Sequence, residues 1–261
     1  MKEPTAGCML APPLLRAPFE REYQVSVQSV RVGTENTPII VIDDIFDDPH
    51  SVVDYAASLS PYPPATSNFY PGLRRMLGPT DANALMTSYV ASICQTLSTL
   101  MGSAYGIRNF AVQSVAFSVV TTPPSDLRPV QSLPHIDGAD PKFFAVLHYL
   151  SHHENSATAF FRHARTGFET VTPDRVGAFN SAREQDKAIY GTPSGYIRGS
   201  MHGWEEIGRV ESRFNRLVVY PSNLFHSGIL PADYDFDPDP HRGRLTANIF
   251  LNGDIPEPRP S

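Results

Sequence analysis

The 261-residue chain is long enough for one large domain with a buried core, and 41% hydrophobic against 18% charged residues is a globular composition, not a disordered one. A formal net charge of −6, with no run of lysine or arginine, argues against a nucleic-acid groove or an anionic membrane as partner and leaves a small-molecule or peptide substrate. Two cysteines in unlike contexts, Cys8 and Cys94, argue against a disulfide framework and favour the cytoplasm.

Residues 1–22 read as a proline-rich arm (Pro4, Pro12, Pro13, Pro18), laid over the surface or disordered, ahead of a single domain over 23–261. Thr5-Ala6-Gly7-Cys8 looks like a lipoprotein cleavage box, but Lys2, Glu3 and Pro4 before it supply no apolar segment, so Cys8 is expected to be an ordinary residue. No stretch approaches the apolar length of a membrane span. Within residues 23–106, the β-branched run Pro38 to Asp44 predicts a strand, and Asp47 or Asp48 is placed to cap a helix ending near Ser60. A Pro61 to Pro64 loop and a Tyr70-Pro71-Gly72 turn lead to a long helix, about Thr80 to Met101. Its apolar residues Ala84, Leu85, Tyr89, Ile93, Leu97 and Leu100 recur near the helical period.

From Ile107 the pattern turns to strands: Phe110 to Val120, Phe143 to Leu150 and Ala157 to Arg162. A helix is expected over Asp174 to Tyr190, and then strands over Glu205 to Val210, Arg216 to Tyr220 and Leu245 to Leu251. Helices first and many strands afterwards predict a mainly β sandwich with flanking helices, its core filled by residues such as Phe143, Phe144, Phe160 and Phe161.

Three separated pieces carry chemistry. His135-Ile136-Asp137 ends the loop that starts at Pro123, and His226 follows the apolar run Leu217 to Phe225 through a short turn. Arg244-Leu245-Thr246 heads the last strand. Two imidazoles and one carboxylate on one face of an iron leave three positions open. An arginine that begins an apolar strand is costly to bury without an anion, and its planar fork binds a carboxylate through two parallel hydrogen bonds. Singly, each piece has an ordinary reading, His226 as a turn histidine and Arg244 as a snorkelling edge residue. A competing His152-His153-Glu154 sits in a segment that reads as a hairpin turn.

In this order the motifs resemble the Fe(II)/2-oxoglutarate-dependent dioxygenases, above all the prolyl-4-hydroxylase-like group. His148-Tyr149-Leu150 and the small-residue strand Ser156 to Phe161 add to the likeness. Thr158 to His163, with Thr166-Gly167-Phe168-Glu169, looks like a largely uncharacterised bacterial branch of that superfamily. The likeness covers roughly residues 107–252, which would be the catalytic core, and the first part only in outline. It implies a double-stranded β-helix (jelly roll, cupin-like), with Fe(II) held by His135, Asp137 and His226. It also implies 2-oxoglutarate as cosubstrate, its far carboxylate on Arg244 and Tyr149 helped by Thr246, and O₂ as oxidant. The implied reaction hydroxylates a C–H bond of a small molecule, amino acid or peptide and releases succinate and CO₂. Asp137 stands where halogenating relatives carry a small residue, which favours hydroxylation.

The interval from His226 to Arg244 is longer than usual in that group and holds the acidic loop Asp233 to Pro240, so Arg242 and Arg216 are alternative cosubstrate ligands. Arg128, Arg162, Arg165, His163 and Trp204 are candidates for the pocket mouth. Two other readings stay open: a cupin-like mononuclear metal enzyme that does not use 2-oxoglutarate, and a non-catalytic jelly-roll binding module.

Overall fold

The computed structural model describes residues 26–66, 69–153 and 155–254; the expected N-terminal arm, Cys8 and Glu154 lie outside them. Two antiparallel sheets, flanked by three α-helices among the described residues, make a double-stranded β-helix. The strands are β1 (Ser26–Val32), β2 (Thr37–Asp43), β3 (Gly72–Met76), β4 (Phe110–Val120), β5 (Phe143–Tyr149), β6 (Ala157–His163), β7 (Trp204–Glu211), β8 (Arg216–Pro221), β9 (His226–Ile229) and β10 (Leu245–Gly253). The helices are α1 (Pro49–Ser58), α2 (Ala84–Tyr105) and α3 (Val176–Tyr190). The large sheet runs β1-β2-β8-β5-β10-β4-β3 and the small one β7-β6-β9. No helix of the described residues is long and apolar enough to cross a membrane.

The period of two sorts each central strand onto two cores. In β2, Ile39 and Val41 face the small sheet, joining Ala145, Leu147, Val218, Phe160 and Val210 between the sheets. Ile40 and Ile42 face the other way, with Phe144, Val146, Val219, Leu245 and Ala247, against Val52 and Val53 of α1 and Tyr89, Ile93 and Leu97 of α2. Phe161, Trp204 and Phe225 pack behind the small sheet on Phe179 of α3. Each such side chain, fully buried, contributes about 1.5–3 kcal/mol. A one-residue slip would turn β10 inside out, exchanging Leu245, Ala247 and Ile249 for Arg244, Thr246 and Asn248.

Local signals fix the helix ends. Asp48 accepts from the Ser51 N–H to start α1, and Asn83 accepts from Met86 N–H to start α2. The long helix therefore begins at Ala84, after a 3₁₀ turn at Pro79–Asp81, and runs past Met101 to Gly106, whose φ of 71° ends it. The expected turn at Tyr70 leads instead into β3, an edge strand paired with β4. The opposite edge, β1, is nearly all exposed.

Candidate metal centre

His135 and His226 come together through the backbone. The His135 N–H donates to the His226 carbonyl at 3.0 Å and the His226 N–H to the His135 carbonyl at 2.9 Å, a single bridge that extends the small sheet beyond β9. Asp137 is fixed two residues on, where its N–H donates to the Ser222 carbonyl at 2.8 Å, just beyond β8. One ligand atom from each of His135, Asp137 and His226 then lies within 4.8 Å of the others. His226 Nε2 is 3.5 Å from one Asp137 oxygen, and His135 Nε2 is 3.9 Å from the other.

The tautomer of His226 follows from its neighbour. Nδ1 lies 2.9 Å from the Leu224 carbonyl, which can only accept, so the proton sits there and the Nε2 lone pair faces the carboxylate. Burial lowers the His135 pKa well below the ordinary histidine value, with the nearby His226 and Arg74 adding to it. Burial also pushes the Asp137 carboxyl up, against the pull of His226 and Arg74. A divalent cation at this point would reverse the Asp137 shift and suits the donor set: two neutral imidazoles and one carboxylate converging from one side.

The triad opens on a cavity of about 120 Å³ between the sheets, room for about four waters at their liquid volume. On the large sheet Thr246 and Arg74 line it among apolar residues such as Leu147 and Phe250, and the buried Ser118 sits between them in the strand register. Thr246 of β10 stands opposite Ser118 of β4, and Ser118 opposite Arg74 of β3. Arg244, immediately before β10, is 5% exposed. Its Nε donates to Ser156 Oγ at 3.1 Å and its guanidinium carbon lies 5.4 Å from the centre of the Tyr149 ring. No carboxylate of the described residues pairs with it, and the cavity supplies the place for one.

The three candidate arginines separate cleanly. Arg216 gives its guanidinium to Asp43, and Arg242 is exposed and paired with Asp237 and Asp239, so neither lines the cavity. Arg244 and Thr246 do. Tyr149 does not: its hydroxyl is bonded to Thr158 Oγ1 at 2.7 Å, which places it behind Thr158 and Arg244, with Thr158 on the wall. The residues considered for the pocket mouth lie elsewhere too. Arg162 is tied to Glu169 and Glu205, His163 and Arg165 to Asp186, and Trp204 packs on Phe225; none of these, nor Arg128, lines the cavity. His153 bonds to the Arg242 carbonyl, away from the triad.

Sequence reasoning passed over two residues at the site. Arg74 lies in a short edge strand whose paired arginines read as surface charge, and Phe69 stacks on His135 with ring centres 5.2 Å apart and planes 3° apart. No periodicity marks either.

No curated protein matches the sequence. Among solved structures, the chain is similar to HygX from Streptomyces hygroscopicus with nickel and 2-oxoglutarate bound, at 12% identity, covering 84% of this chain and 83% of that one, with a TM-score of 0.47. It is similar to an oxidoreductase of the 2OG-Fe(II) oxygenase family from Burkholderia pseudomallei, at 11% identity, 85% and 88% coverage and a TM-score of 0.45. A prolyl-4-hydroxylase from Pseudomonas putida gives 15% identity, 82% and 87% coverage and a TM-score of 0.40. The model of DUF6445, a family of unknown function, matches residues 23–251, a span that takes in all but the last two residues of the sheets and every residue of the triad: the chain belongs to the DUF6445 family.

Proposed function

We propose that the protein is an Fe(II)- and 2-oxoglutarate-dependent oxygenase that hydroxylates a C–H bond of a small molecule, amino acid or peptide, releasing succinate and CO₂. One observation carries the reading: three converging metal donors share a small cavity with a buried arginine that has no carboxylate partner among the described residues. A metal site alone would not require that arginine, and a binding module would not require the donors.

Held by His135, Asp137 and His226, the iron would supply the oxidising chemistry, with O₂ reduced as the cosubstrate loses CO₂. The chain's own part is positioning. Arg244 presents its guanidinium to the far carboxylate of the cosubstrate, held in place by Ser156 and by the ring of Tyr149. Thr246 and Thr158 line the same cavity, with Tyr149 holding Thr158 from behind. Leu147, Leu230 and Phe250 line apolar parts of the wall and limit the water that reaches the reacting atoms.

Anaerobic addition of Fe(II) and 2-oxoglutarate is expected to give the weak visible charge-transfer band of a metal-bound keto acid, and Asp137→Ala to abolish it. Arg244→Ala is expected to keep the metal and weaken 2-oxoglutarate at least tenfold. Lack of a band in the native protein, or a band unchanged by Asp137→Ala, overturns the reading. An Arg244→Ala protein with native 2-oxoglutarate affinity removes the cosubstrate assignment alone.

A further inference from the structure

Besides Arg244, a second arginine faces this cavity. Arg74 leaves the edge strand β3, its Nε donating to Ser118 Oγ at 2.9 Å and its guanidinium carbon 4.4 Å above the Tyr70 ring. Those two contacts fix the orientation of the fork without neutralising it. No carboxylate of the described residues lies within ion-pair distance of Arg74, whereas Arg75 beside it is paired with Asp81 at 2.6 Å.

The two cavity arginines differ in depth. Arg244 is almost wholly buried, while Arg74 is partly exposed, on the side of the cavity where the exposed Phe69 stands. Phe69 is 39% exposed and lies flat on His135, so this side is aromatic as well as cationic.

Charge balance points the same way. The charged residues among those lining the cavity are Arg74, Arg244 and Asp137, one positive charge in excess. A divalent metal raises the excess to three, and a dianionic cosubstrate brings it back to one. No carboxylate of the described residues takes the Arg74 fork, and a planar guanidinium matches a carboxylate through two parallel hydrogen bonds. The remaining charge is Arg74, placed where a substrate would enter.

We infer that Arg74 is a specificity-determining residue that binds a carboxylate on the substrate, and hence that the substrate is a small monoanionic carboxylic acid, held by its acid group at the cavity mouth beside Phe69 and Tyr70. This rests on the reading under Proposed function, because the balance assumes that the metal and 2-oxoglutarate fill the deeper part.

The test uses the full chain loaded with Ni(II) and 2-oxoglutarate, which binds without turnover. N-acetyl amino acids and their matched amides are titrated by calorimetry, on native protein and on Arg74→Gln and Arg74→Lys, with thermal melts to confirm folding. At least one acid is expected to bind tenfold or more tightly than its amide. Arg74→Gln is expected to remove that preference while leaving 2-oxoglutarate affinity within threefold, and Arg74→Lys to restore part of it. The inference is overturned if no acid binds, if amides bind as well as acids, or if Arg74→Gln keeps the preference. It is overturned equally if Arg74→Gln weakens 2-oxoglutarate as much as Arg244→Ala does, which would make Arg74 a cosubstrate residue. Failure of the native chain to bind 2-oxoglutarate at all sinks the parent reading, and this inference with it.

Discussion

His148 and Tyr149 are chain neighbours with opposite duties, because successive residues of a strand face opposite sides. Tyr149 backs the cavity, whereas His148 points to the helices, fully buried, between the Tyr89 hydroxyl at 2.9 Å and Asn215 Oδ1 at 3.2 Å. Asn215 Oδ1 can only accept, so His148 Nε2 carries the proton and Nδ1 accepts from Tyr89. Burial lowers the His148 pKa from 6.5 to about 4. The unfolded chain takes up this proton as pH falls through 6.5, while the folded chain does so only near pH 4. Stability is thus fully present above pH 6.5 and drains away toward pH 4, by up to about 3 kcal/mol. Between pH 7 and pH 5 the native protein is expected to lose about 2 kcal/mol more than His148→Gln in urea unfolding with a chelator present. Equal losses would refute the assignment. At this level His226 and Arg244 stood out in the sequence because each adjoins a strand with an apolar run, whereas His135 and Asp137 lie in the long connection between β4 and β5 and stood out only as a His-x-Asp motif. Arg74 did not, since its place on the cavity comes from the register of β3 on β4, which leaves no local pattern.

The β1–β2 hairpin shows how an element can hang on one side chain from far along the chain. Glu169, fully buried, accepts from the N–H groups of Thr34 and Glu35 at 2.8 and 2.9 Å and from Arg162 Nε at 2.9 Å. Burial pushes its carboxyl up, yet those donors outweigh it and hold the pKa below the ordinary glutamate value. Gly33, at a φ of 65°, makes this approach possible, since a Cβ there would collide with the Glu169 carboxylate. Glu169→Ala should therefore cost about 3 kcal/mol and expose the Thr34 and Glu35 amides to hydrogen exchange. Retained protection at those amides would show that the hairpin stands without it. The central strands β2, β4, β5, β8 and β10 were readable because burial on one or both faces demands apolar residues. The edge strands β1 and β3 were not, because an edge buries little and so imposes little on its sequence.

Across the whole fold, the site spans the gap between the sheets. His226 belongs to the small sheet, Thr246 to the large one, and Arg244 immediately precedes β10 of the large sheet. A metal with its cosubstrate would tie the two together, so the ligands should stabilise the chain in sequence. Ni(II) at a hundredfold excess over its Kd adds about 2.7 kcal/mol, and 2-oxoglutarate a further increment of the same kind only when the metal is present. In thermal melts, Arg244→Ala should keep the first increment and lose the second; an increment from 2-oxoglutarate without metal would contradict the arrangement. The sandwich itself follows from the alternation of apolar residues, while the meeting of distant strand ends follows from topology, which no single segment encodes. The mutual main-chain bonds between residues 135 and 226 have a consequence for substitution at the site. Their separation belongs to a rung of the ladder and not to the imidazoles, so the frame stays whatever side chains occupy it. Two substitutions on this unmoved scaffold would replace both imidazoles of the donor set and leave the rung intact.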